Sequence, residues 1–483
     1  MDTSLETRLF INGQWLPAAS GAMIKVTNPA TEEAVASVAL AGRDDIRRAF
    51  DAAAGAFPAW SKTTAYQRAS VLKKTADLMR QRADIIARTM TQEQGKPVVE
   101  ARAEVLHSAD TFEWFAEEGK RAYGQVIPNS VAQKRHLTIK HPVGVVAAIS
   151  PWNFPITLQS RKLAPALAAG CTVVSKPAHQ TPLSLIQTFQ CLQDAGLPPG
   201  VGNCVVAKAE DFSDEFFAHP AVRKLSFTGS TAVGKMLMKR AADRMIRVSL
   251  ELGGHAPFIV LPDADPEAVA KAAVVGKFRN NGQVCISPSR FFVHSDLRKK
   301  FTEAAVEATK ALKLGNGLES GVEIGPMIDE SRLTATTTIV DDAKSKGARV
   351  LTGGRRSAHF RKGFFFEPTV LADVRDDATL LTDEPFAPVM PVLDFQKLDE
   401  VIERANATRY GLAAYAFTND LTAMWKLAEG LEAGIIGIND PVPSTPQCPF
   451  GGMKESGLGR ELGHEGLEAY LETKFIALKL RDG

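Results

Sequence analysis

Cys285 is the residue in this chain whose type and surroundings most suggest covalent chemistry. It follows an amphipathic run and a glycine-containing turn, in the stretch FRNNGQVCIS at 278–287. Small and polar neighbours leave room for a substrate beside the sulfur, as a cysteine nucleophile requires. An isolated cysteine is more often a small buried hydrophobic side chain. Cys285 is therefore a candidate nucleophile if the chain also supplies a base and hydrogen-bond donors for an oxyanion.

Two polar residues that follow apolar runs could fill these roles. Glu251 precedes Gly253 and Gly254, and a carboxylate in so apolar a setting has a raised pKa and can act as a general base. It could equally pair with a basic residue at the edge of the core. Asn153 lies in the loop SPWNFP at 150–155, where its amide could donate to a developing oxyanion or simply close a turn.

Nucleotide-binding signals are present but incomplete. A strict GxGxxG is absent, and the P-loop-like stretch 229–236 has Met236 where Mg²⁺ needs a hydroxyl, so an NTPase is not expected. A helix beginning near Ser230 could bind a phosphate through its free N–H groups, or Ser230 could be an ordinary cap. Lys176 ends another apolar run and could contact a ribose or a phosphate, or remain solvated.

The candidate residues belong to a regular series of elements. A helical block over 43–118 is followed by short apolar runs that alternate with helical patterns, first over 143–250 and again over 258–439. This alternation predicts an α/β protein with two doubly wound, parallel-sheet (Rossmann-like) domains, whose ligands bind at the carboxyl ends of the strands. Residues 121–142 alternate as a β-ribbon, which the tail at 470–480 could join as an edge strand.

We therefore predict three units. Residues 1–120 and 143–253 form a dinucleotide-binding domain, residues 254–453 a catalytic domain, and residues 121–142 with 469–483 a β-extension that serves oligomerisation.

Composition limits the possible functions. The 483 residues carry a formal net charge of +2 and no basic block, which argues against nucleic-acid binding. The five cysteines include no CxxC pair, so neither a disulfide framework nor a metal site is expected. No signal peptide or apolar run long enough for a membrane helix is evident. We expect a cytoplasmic protein without a membrane partner.

Seven motifs, taken in order, resemble those of the aldehyde dehydrogenase superfamily over essentially the whole chain. They are PWNFP at 151–155, KPA at 176–178, FTGS at 227–230, LELGG at 250–254, NNGQVC at 280–285, EPFAP at 384–388 and PFGG at 449–452. The resemblance implies that Cys285 is the nucleophile, Glu251 the general base, and Asn153 with the Cys285 backbone N–H the oxyanion hole. The implied cofactor-binding residues are Trp152, Lys176, His179, Gly229, Ser230, Leu252, Glu384 and Phe386.

The resemblance also implies a mechanism. A Cys285 thiolate adds to a small-molecule aldehyde, two N–H donors stabilise the oxyanion, and collapse of the adduct expels hydride to a nicotinamide. Water activated by Glu251 then hydrolyses the acyl-thioester. The ribbon and tail imply a homodimer or a homotetramer.

Within the superfamily, the chain is most similar to succinate-semialdehyde dehydrogenases. The similarity lies in residues 161–178, 409–415 and 448–461. Those enzymes hold the far carboxylate of the substrate with two arginines and a serine, which implies Arg161, Arg279 and Ser444 here. Guanidinium groups suit carboxylates, although Arg161 could merely pair with a nearby acid.

Three departures from that pattern affect the expectations. Ser287 stands where some relatives carry a second cysteine, which excludes a redox disulfide in this loop. The proline-rich stretch 440–447 leaves the length of the acyl pocket open. His179 stands where many NAD-preferring members carry Glu, so repulsion against a 2′-phosphate is absent and we expect NADP to be accepted besides NAD.

Other functions remain open from the sequence. The substrate could be glutarate or 2-oxoglutarate semialdehyde, or an aromatic or aliphatic aldehyde. Cys285 and Glu251 could also support an esterase without redox turnover, and a non-enzymatic role on the same fold is a further alternative.

Overall fold

The computed structural model describes residues 5–481 as two large sheets covered by helices, with two smaller sheets. Its strands are β1 (Leu9–Ile11), β2 (Gln14–Leu16), β3 (Met23–Thr27), β4 (Ala34–Ala39), β5 (Val126–Ile127), β6 (Lys134–Pro142), β7 (Val145–Ile149), β8 (Thr172–Lys176), β9 (Gly202–Cys204), β10 (Val222–Thr228), β11 (Arg247–Glu251), β12 (Ala256–Val260), β13 (Pro288–His294), β14 (Arg349–Thr352), β15 (Thr369–Ala372), β16 (Val389–Phe395), β17 (Ala413–Phe417), β18 (Ile435–Ile438), β19 (Gly457–Leu458) and β20 (Leu471–Lys479).

The α-helices follow in chain order. They are α1 (Arg43–Trp60), α2 (Ala65–Gln81), α3 (Ala83–Gln94), α4 (Val98–Glu118), α5 (Thr157–Ala169), α6 (Leu183–Asp194), α7 (Ala209–Ala218), α8 (Thr231–Ala242), α9 (Pro266–Phe278), α10 (Ser295–Ala311), α11 (Glu330–Ser345), α12 (Thr379–Thr382), α13 (Leu398–Asn406), α14 (Leu421–Gly430) and α15 (Gly463–Glu468).

Both large sheets are parallel at their centres. The first has the order β19-β11-β10-β7-β8-β9-β1-β2, with antiparallel pairing only at its two edges. The second has the order β14-β15-β16-β13-β12-β17-β18, in which β14 alone is antiparallel. The predicted α/β class with two parallel sheets is confirmed. The antiparallel strands at the sheet edges were not predicted.

The central strand β7 is apolar throughout because helices cover both of its faces. In β7, Val145 and Ala147 pack with Phe50 of α1, whereas Val146 and Ala148 face the opposite cluster with Leu163 of α5. Side chains of a strand alternate between faces, so burial on both sides requires a continuous apolar run. The polar loops that follow these strands collect at one edge of each sheet, where the candidate site lies.

The predicted ribbon and tail form one sheet. β6 pairs with β20 along its whole length and with β5 on its other side, in the order β20-β6-β5. Phe475 and Ile139 are exposed on this sheet. The predicted edge strand is thereby confirmed, while the oligomerisation role stays a prediction. The predicted domain boundaries also stay predictions, although β19 extends the first sheet with residues that lie beyond 453.

Within residues 5–481, no helix combines the length and apolar character that crossing a bilayer demands.

Candidate active site

The loop before Cys285 is held in an unusual backbone conformation. Asn280 and Asn281 have φ angles of 48° and 55°, in the left-handed region that costs a non-glycine residue about 1–3 kcal/mol. The side chain of Gln94 donates to Asn280 Oδ1 at 2.9 Å, and Asn280 Nδ2 donates to the carbonyl oxygen of Asn153 at 2.9 Å. These bonds offset the strain and tie the cysteine loop to the loop that carries Asn153.

A glycine allows a second strand end to approach the cysteine. A methyl group on Gly254 would lie 2.3 Å from the carbonyl oxygen of Cys285, a distance that no side chain could occupy. The backbone N–H of Gly254 donates to Glu384 Oε1 at 3.1 Å. The Gly253-Gly254 pair in the sequence therefore serves close packing of backbone against the cysteine loop.

Cys285 lies between two cavities and lines both. The first, here called the cofactor-side cavity, is lined by seven further residues with predicted roles, namely Trp152, Asn153, Gly229, Ser230, Leu252, Glu384 and Phe386. The second, here called the aldehyde-side cavity, contains Arg161, Arg279 and Ser444, the three predicted tail-binding residues. The structure thus brings most of the predicted site residues around one sulfur atom.

The thiol of Cys285 is protonated in its resting environment. Burial raises its pKa to about 12, the charge of Glu384 adds to this effect, and Arg161 opposes it. Since only the thiolate is a competent nucleophile, a base must take the proton when a substrate binds.

Glu251 is a buried carboxylate without a hydrogen-bond partner among the described residues. Burial, and then the nearby charge of Glu461, raises its pKa well above the usual value. Its Oε1 lies against the backbone of Gly451, where a methyl group would sit 2.8 Å away. Glu251 does not line either cavity, so it must turn its side chain to reach a bound substrate.

Lys162 sits beside this carboxylate and was not among the predicted site residues. Its ammonium is completely buried, donates to Thr228 Oγ1 at 2.6 Å and pairs with Glu461. Its charge partly offsets the rise in the pKa of Glu251. In sequence, Lys162 is one of many polar residues on a helix and carries no local signal for this position.

The loop that carries Asn153 is fixed by a second buried ion pair. Lys96 Nζ donates to the carbonyl oxygen of Asn153 at 2.8 Å and to Glu104 Oε2 at 2.6 Å. Glu104 Oε1 in turn accepts from the backbone N–H groups of Ile156 and Thr157, both at 3.1 Å. The Gly95-Lys96-Pro97 break in the sequence thus supplies a buried cation that positions the loop.

The amide of Asn153 is only partly engaged. Its Nδ2 donates to the carbonyl oxygen of Gln283 at 3.1 Å, and its Oδ1 is buried without a partner. An NH₂ group carries two donors, so one N–H remains for another acceptor.

The three predicted tail-binding residues form one polar end of the aldehyde-side cavity. Arg161 Nη2 donates to Ser444 Oγ at 3.0 Å, and its guanidinium stacks 4.0 Å from the ring centre of Phe450. The guanidinium of Arg279 lies 5.3 Å from the ring centre of Phe154. Within residues 5–481, neither arginine has a carboxylate within the 4.0 Å of an ion pair, so the alternative in which Arg161 pairs with a nearby acid is wrong.

Two aromatic side chains and an arginine shape the cofactor-side cavity. The rings of Trp152 and Phe386 meet edge to face, with centroids 5.6 Å apart. Arg332 donates to the carbonyl oxygens of Pro385 at 2.8 Å and Phe386 at 3.3 Å, which fixes this loop. Arg332 lies on α11, a helix that the sequence patterns did not reveal.

The beginning of α8 opens onto the same cavity. Ser230 caps the helix by accepting from the Val233 N–H at 3.4 Å, as one of the alternatives from the sequence proposed. Gly229 is confined because a methyl group there would lie 2.4 Å from the Phe227 ring. Lys235 pairs with Glu455 at 2.6 Å on the surface and does not serve the cavity as a P-loop lysine would.

Lys176 and His179 lie outside the lining of the cofactor-side cavity. Lys176 ends β8, and its buried ammonium makes one bond within the described chain, to the Pro177 carbonyl oxygen at 3.3 Å. Burial lowers its pKa to about 8. His179 is exposed two residues beyond the strand-end proline, and burial of part of its ring and the charge of Lys176 lower its pKa.

Comparison with known proteins places this geometry in a family. The model described as "Aldehyde dehydrogenase family" matches residues 15–476. The chain is 47% identical to succinate-semialdehyde dehydrogenase (NADP(+)) GabD of Escherichia coli, over 97% of each chain. It is 46% identical to glutarate-semialdehyde dehydrogenase of Pseudomonas putida, over 98% of this chain and 97% of that protein. A crystal structure titled as an E. coli NADP-dependent enzyme superposes with a TM-score of 0.97 at 46% identity, covering 99% and 98% of the two chains.

A cysteine between two cavities, a nearby guanidinium pair in one of them and a family match over nearly the whole chain agree with one another. The protein belongs to the aldehyde dehydrogenase family and is an oxidoreductase.

Proposed function

We propose that the protein oxidises a short aldehyde with a terminal carboxylate, most readily succinate semialdehyde, to the corresponding acid. The observation that carries this proposal is the pair Arg161 and Arg279 beside Ser444, without acidic partners, in the cavity that contains Cys285. Arg161 is buried and Arg279 is half-buried. Guanidinium groups without an ion-pair partner among residues 5–481 favour an anionic ligand, and their planar donors match a carboxylate. The names of the two relatives described above agree with an acid-tailed aldehyde.

Glutarate semialdehyde is the second candidate. The relative named for it is nearly as similar as the one named for succinate semialdehyde. The aldehyde-side cavity presents the same two arginines and the same serine to either tail. The preferred chain length of the substrate therefore depends on the distance between the arginines that hold its tail and the sulfur of Cys285.

NADP or NAD is the proposed cofactor, and the residues of the cofactor-side cavity fit it. Gly229 and Ser230 lie at a helix beginning whose free N–H groups suit phosphates. Glu384 accepts one backbone bond and keeps its other oxygen for a ribose hydroxyl. Lys176 lies outside the lining of this cavity, and its buried ammonium has one partner at 3.3 Å, so it can still donate to a hydroxyl of the same sugar. When bound, the nicotinamide accepts the hydride that leaves the substrate carbon.

The chain supplies the remaining chemistry. The Cys285 thiol releases its proton to solvent, and the thiolate adds to the aldehyde carbon. The free N–H of Asn153 and the Cys285 backbone N–H donate to the resulting oxyanion. Loss of hydride leaves an acyl-thioester on the sulfur. Glu251 then takes a proton from the attacking water, because a carboxylate of raised pKa is a strong enough base for this step. The acid leaves and the thiol is restored.

The cellular location and the oligomeric state of the protein are part of the same proposal. We propose a cytoplasmic homodimer or homotetramer whose subunits meet through the exposed strands β6 and β20.

Removing the guanidinium of Arg279 tests the substrate assignment. In the Arg279→Ala variant we expect the KM for succinate semialdehyde to rise about 30-fold or more, because the carboxylate loses a desolvated charged partner. The KM for the methyl ester of the same aldehyde should change little, since the ester has no negative charge. Steady-state kinetics with both substrates measure the effect, and Arg279→Lys is the matched control that keeps the charge and loses the planar fork. Equal KM changes for acid and ester would contradict the assignment.

The residue at position 179 should influence the choice between the two cofactors. We expect wild-type protein to use NADP, and the His179→Glu variant to lose about tenfold in kcat/KM for NADP, or about 1.4 kcal/mol, through repulsion of the 2′-phosphate. The kcat/KM for NAD should stay unchanged or rise. The measurement is initial rates with each cofactor at saturating aldehyde, with His179→Gln as the uncharged control. A wild-type protein at least tenfold better with NAD would overturn the expectation.

A further inference from the structure

We propose that His107 is a fourth residue that binds the anionic tail of the substrate, besides Arg161, Arg279 and Ser444, and that it does so by donating an N–H from a neutral imidazole. The inference rests on the proposed function, because it requires an aldehyde with an anionic tail. It adds a specificity-determining side chain on α4, an element that held no predicted site residue.

One face of α4 lines the aldehyde-side cavity. Its residues there are Glu100, Ala103, Glu104 and His107, and their spacing of three and four residues places them on one side of a helix. His107 thereby lines the same cavity as Arg161 and Arg279. Its position is set by the register of the helix and not by a flexible loop.

The two acids on this face are engaged elsewhere. Glu104 is held by Lys96 and by two backbone N–H groups, as described above. Glu100 accepts from the backbone N–H of Asn280 at 2.9 Å. The imidazole of His107, in contrast, makes no hydrogen bond to any residue between 5 and 481. Glu100 also keeps its Oε1 without a partner in that range, but a carboxylate oxygen only accepts, so on this face His107 alone offers a free N–H donor.

The surroundings keep this imidazole neutral. Burial, followed by the positive charges of Arg161 and Arg279, lowers the pKa of His107 to about 4, and Asp110 opposes this effect. A neutral imidazole carries one N–H donor and one acceptor nitrogen. Next to two guanidinium groups a third cation would be repelled, whereas a neutral donor adds a hydrogen bond without that repulsion.

A carboxylate can use this extra donor. Its two oxygens offer about four acceptor positions, and one Nη of Arg161 is already directed at Ser444. The tail is remote from the carbon that reacts, so a bond to it stabilises ground state and transition state equally. Such a bond lowers KM and leaves kcat nearly unchanged.

The test compares wild-type protein with H107F and H107Q, using succinate semialdehyde and its methyl ester. Loss of a hydrogen bond to a charged group predicts a rise of about tenfold or more in the KM for the acid in H107F, with kcat nearly unchanged. The KM for the ester should stay within about twofold, since no charged partner is lost. H107Q keeps an N–H donor and should retain most of the affinity for the acid.

Each other outcome overturns the proposal. An unchanged KM for the acid in H107F, or equal changes for acid and ester, would mean that His107 only fills space. H107Q as impaired as H107F toward the acid would reject N–H donation. Turnover of the ester shows that a variant is folded, and H107M replaces H107F if the latter has none.

The same measurements separate failure of this inference from failure of the proposed function. If wild-type protein does not prefer the acid to the ester, the acid-tailed substrate is wrong whatever the variants do. If wild-type protein prefers the acid and H107F keeps that preference, only the role of His107 is wrong.

Discussion

Replacing Cys285 by Ala is expected to lower kcat for aldehyde oxidation by at least about 10⁴-fold, because removal of a covalent nucleophile leaves only binding and oxyanion stabilisation. The sulfur is the one reactive atom that both cavities share. The side chain is partly accessible and packs against the core, so the smaller Ala should leave the fold intact. The measurement is the initial rate of cofactor reduction, together with a thermal unfolding midpoint close to that of wild-type protein.

Cys448 provides the matched control for this experiment. It is the one exposed cysteine within residues 5–481, and it lines neither cavity. Cys448→Ala should keep wild-type kcat and KM. Activity in Cys285→Ala within about tenfold of wild-type would contradict the nucleophile, because no other described thiol reaches the site. Ester hydrolysis without cofactor by wild-type protein, in the absence of aldehyde oxidation, would instead favour the esterase alternative.

Local patterns predicted the architecture well where burial dictates the sequence. The two-sided burial of β7 requires its apolar run, which is visible in the sequence. Individual helices such as α14 are harder to recognise in the sequence, because exposed apolar residues dilute the apolar period. Leu421 and Trp425 of α14, for example, remain exposed.

The site was predictable only in part. Arg161 and Ser444 are 283 residues apart, yet they form a hydrogen bond. The resemblance to a family predicted the roles of these two residues. No local spacing in the sequence indicates that their side chains are in contact. Lys96, Lys162 and Arg332 were not predicted as site residues, for a different reason. Each is a cation on or beside a helix, and such residues are usually solvated, so burial against a catalytic loop leaves no mark in the sequence.

Two of these missed cations share one physical role. Lys96 and Arg332 donate to backbone carbonyl oxygens of the loops that carry Asn153 and Phe386. Both loops contain prolines, which remove backbone N–H donors. Loops of this kind cannot form enough backbone hydrogen bonds of their own. A side-chain cation that donates to a loop carbonyl oxygen supplies one of the missing hydrogen bonds. Preorganisation of the site is therefore distributed over helices that contribute no reacting atom.

Replacing Glu251 by Gln is expected to lower the steady-state kcat by about 10²–10⁴-fold, the usual contribution of a general base. Gln has nearly the same shape and no basic oxygen, so the expected defect lies in hydrolysis of the acyl-thioester. An acyl group should therefore accumulate on Cys285 when the variant is mixed with aldehyde and cofactor. Intact-protein mass spectrometry measures this adduct, with the Cys285→Ala variant as the blank.

The pH dependence provides a second test of the same carboxylate. Glu251 must be deprotonated to act as base, and burial together with the charge of Glu461 raises its pKa. The kcat of wild-type protein should therefore fall as the pH drops through this raised value, and the acid limb should lie above the ordinary glutamate range near about 4.3. Glu251→Gln should lose that limb. In Glu461→Gln the limb should move to lower pH, because a neighbouring negative charge is gone while Lys162 remains. An acid limb that persists unchanged in Glu251→Gln, without an acyl adduct, would assign the base to another residue.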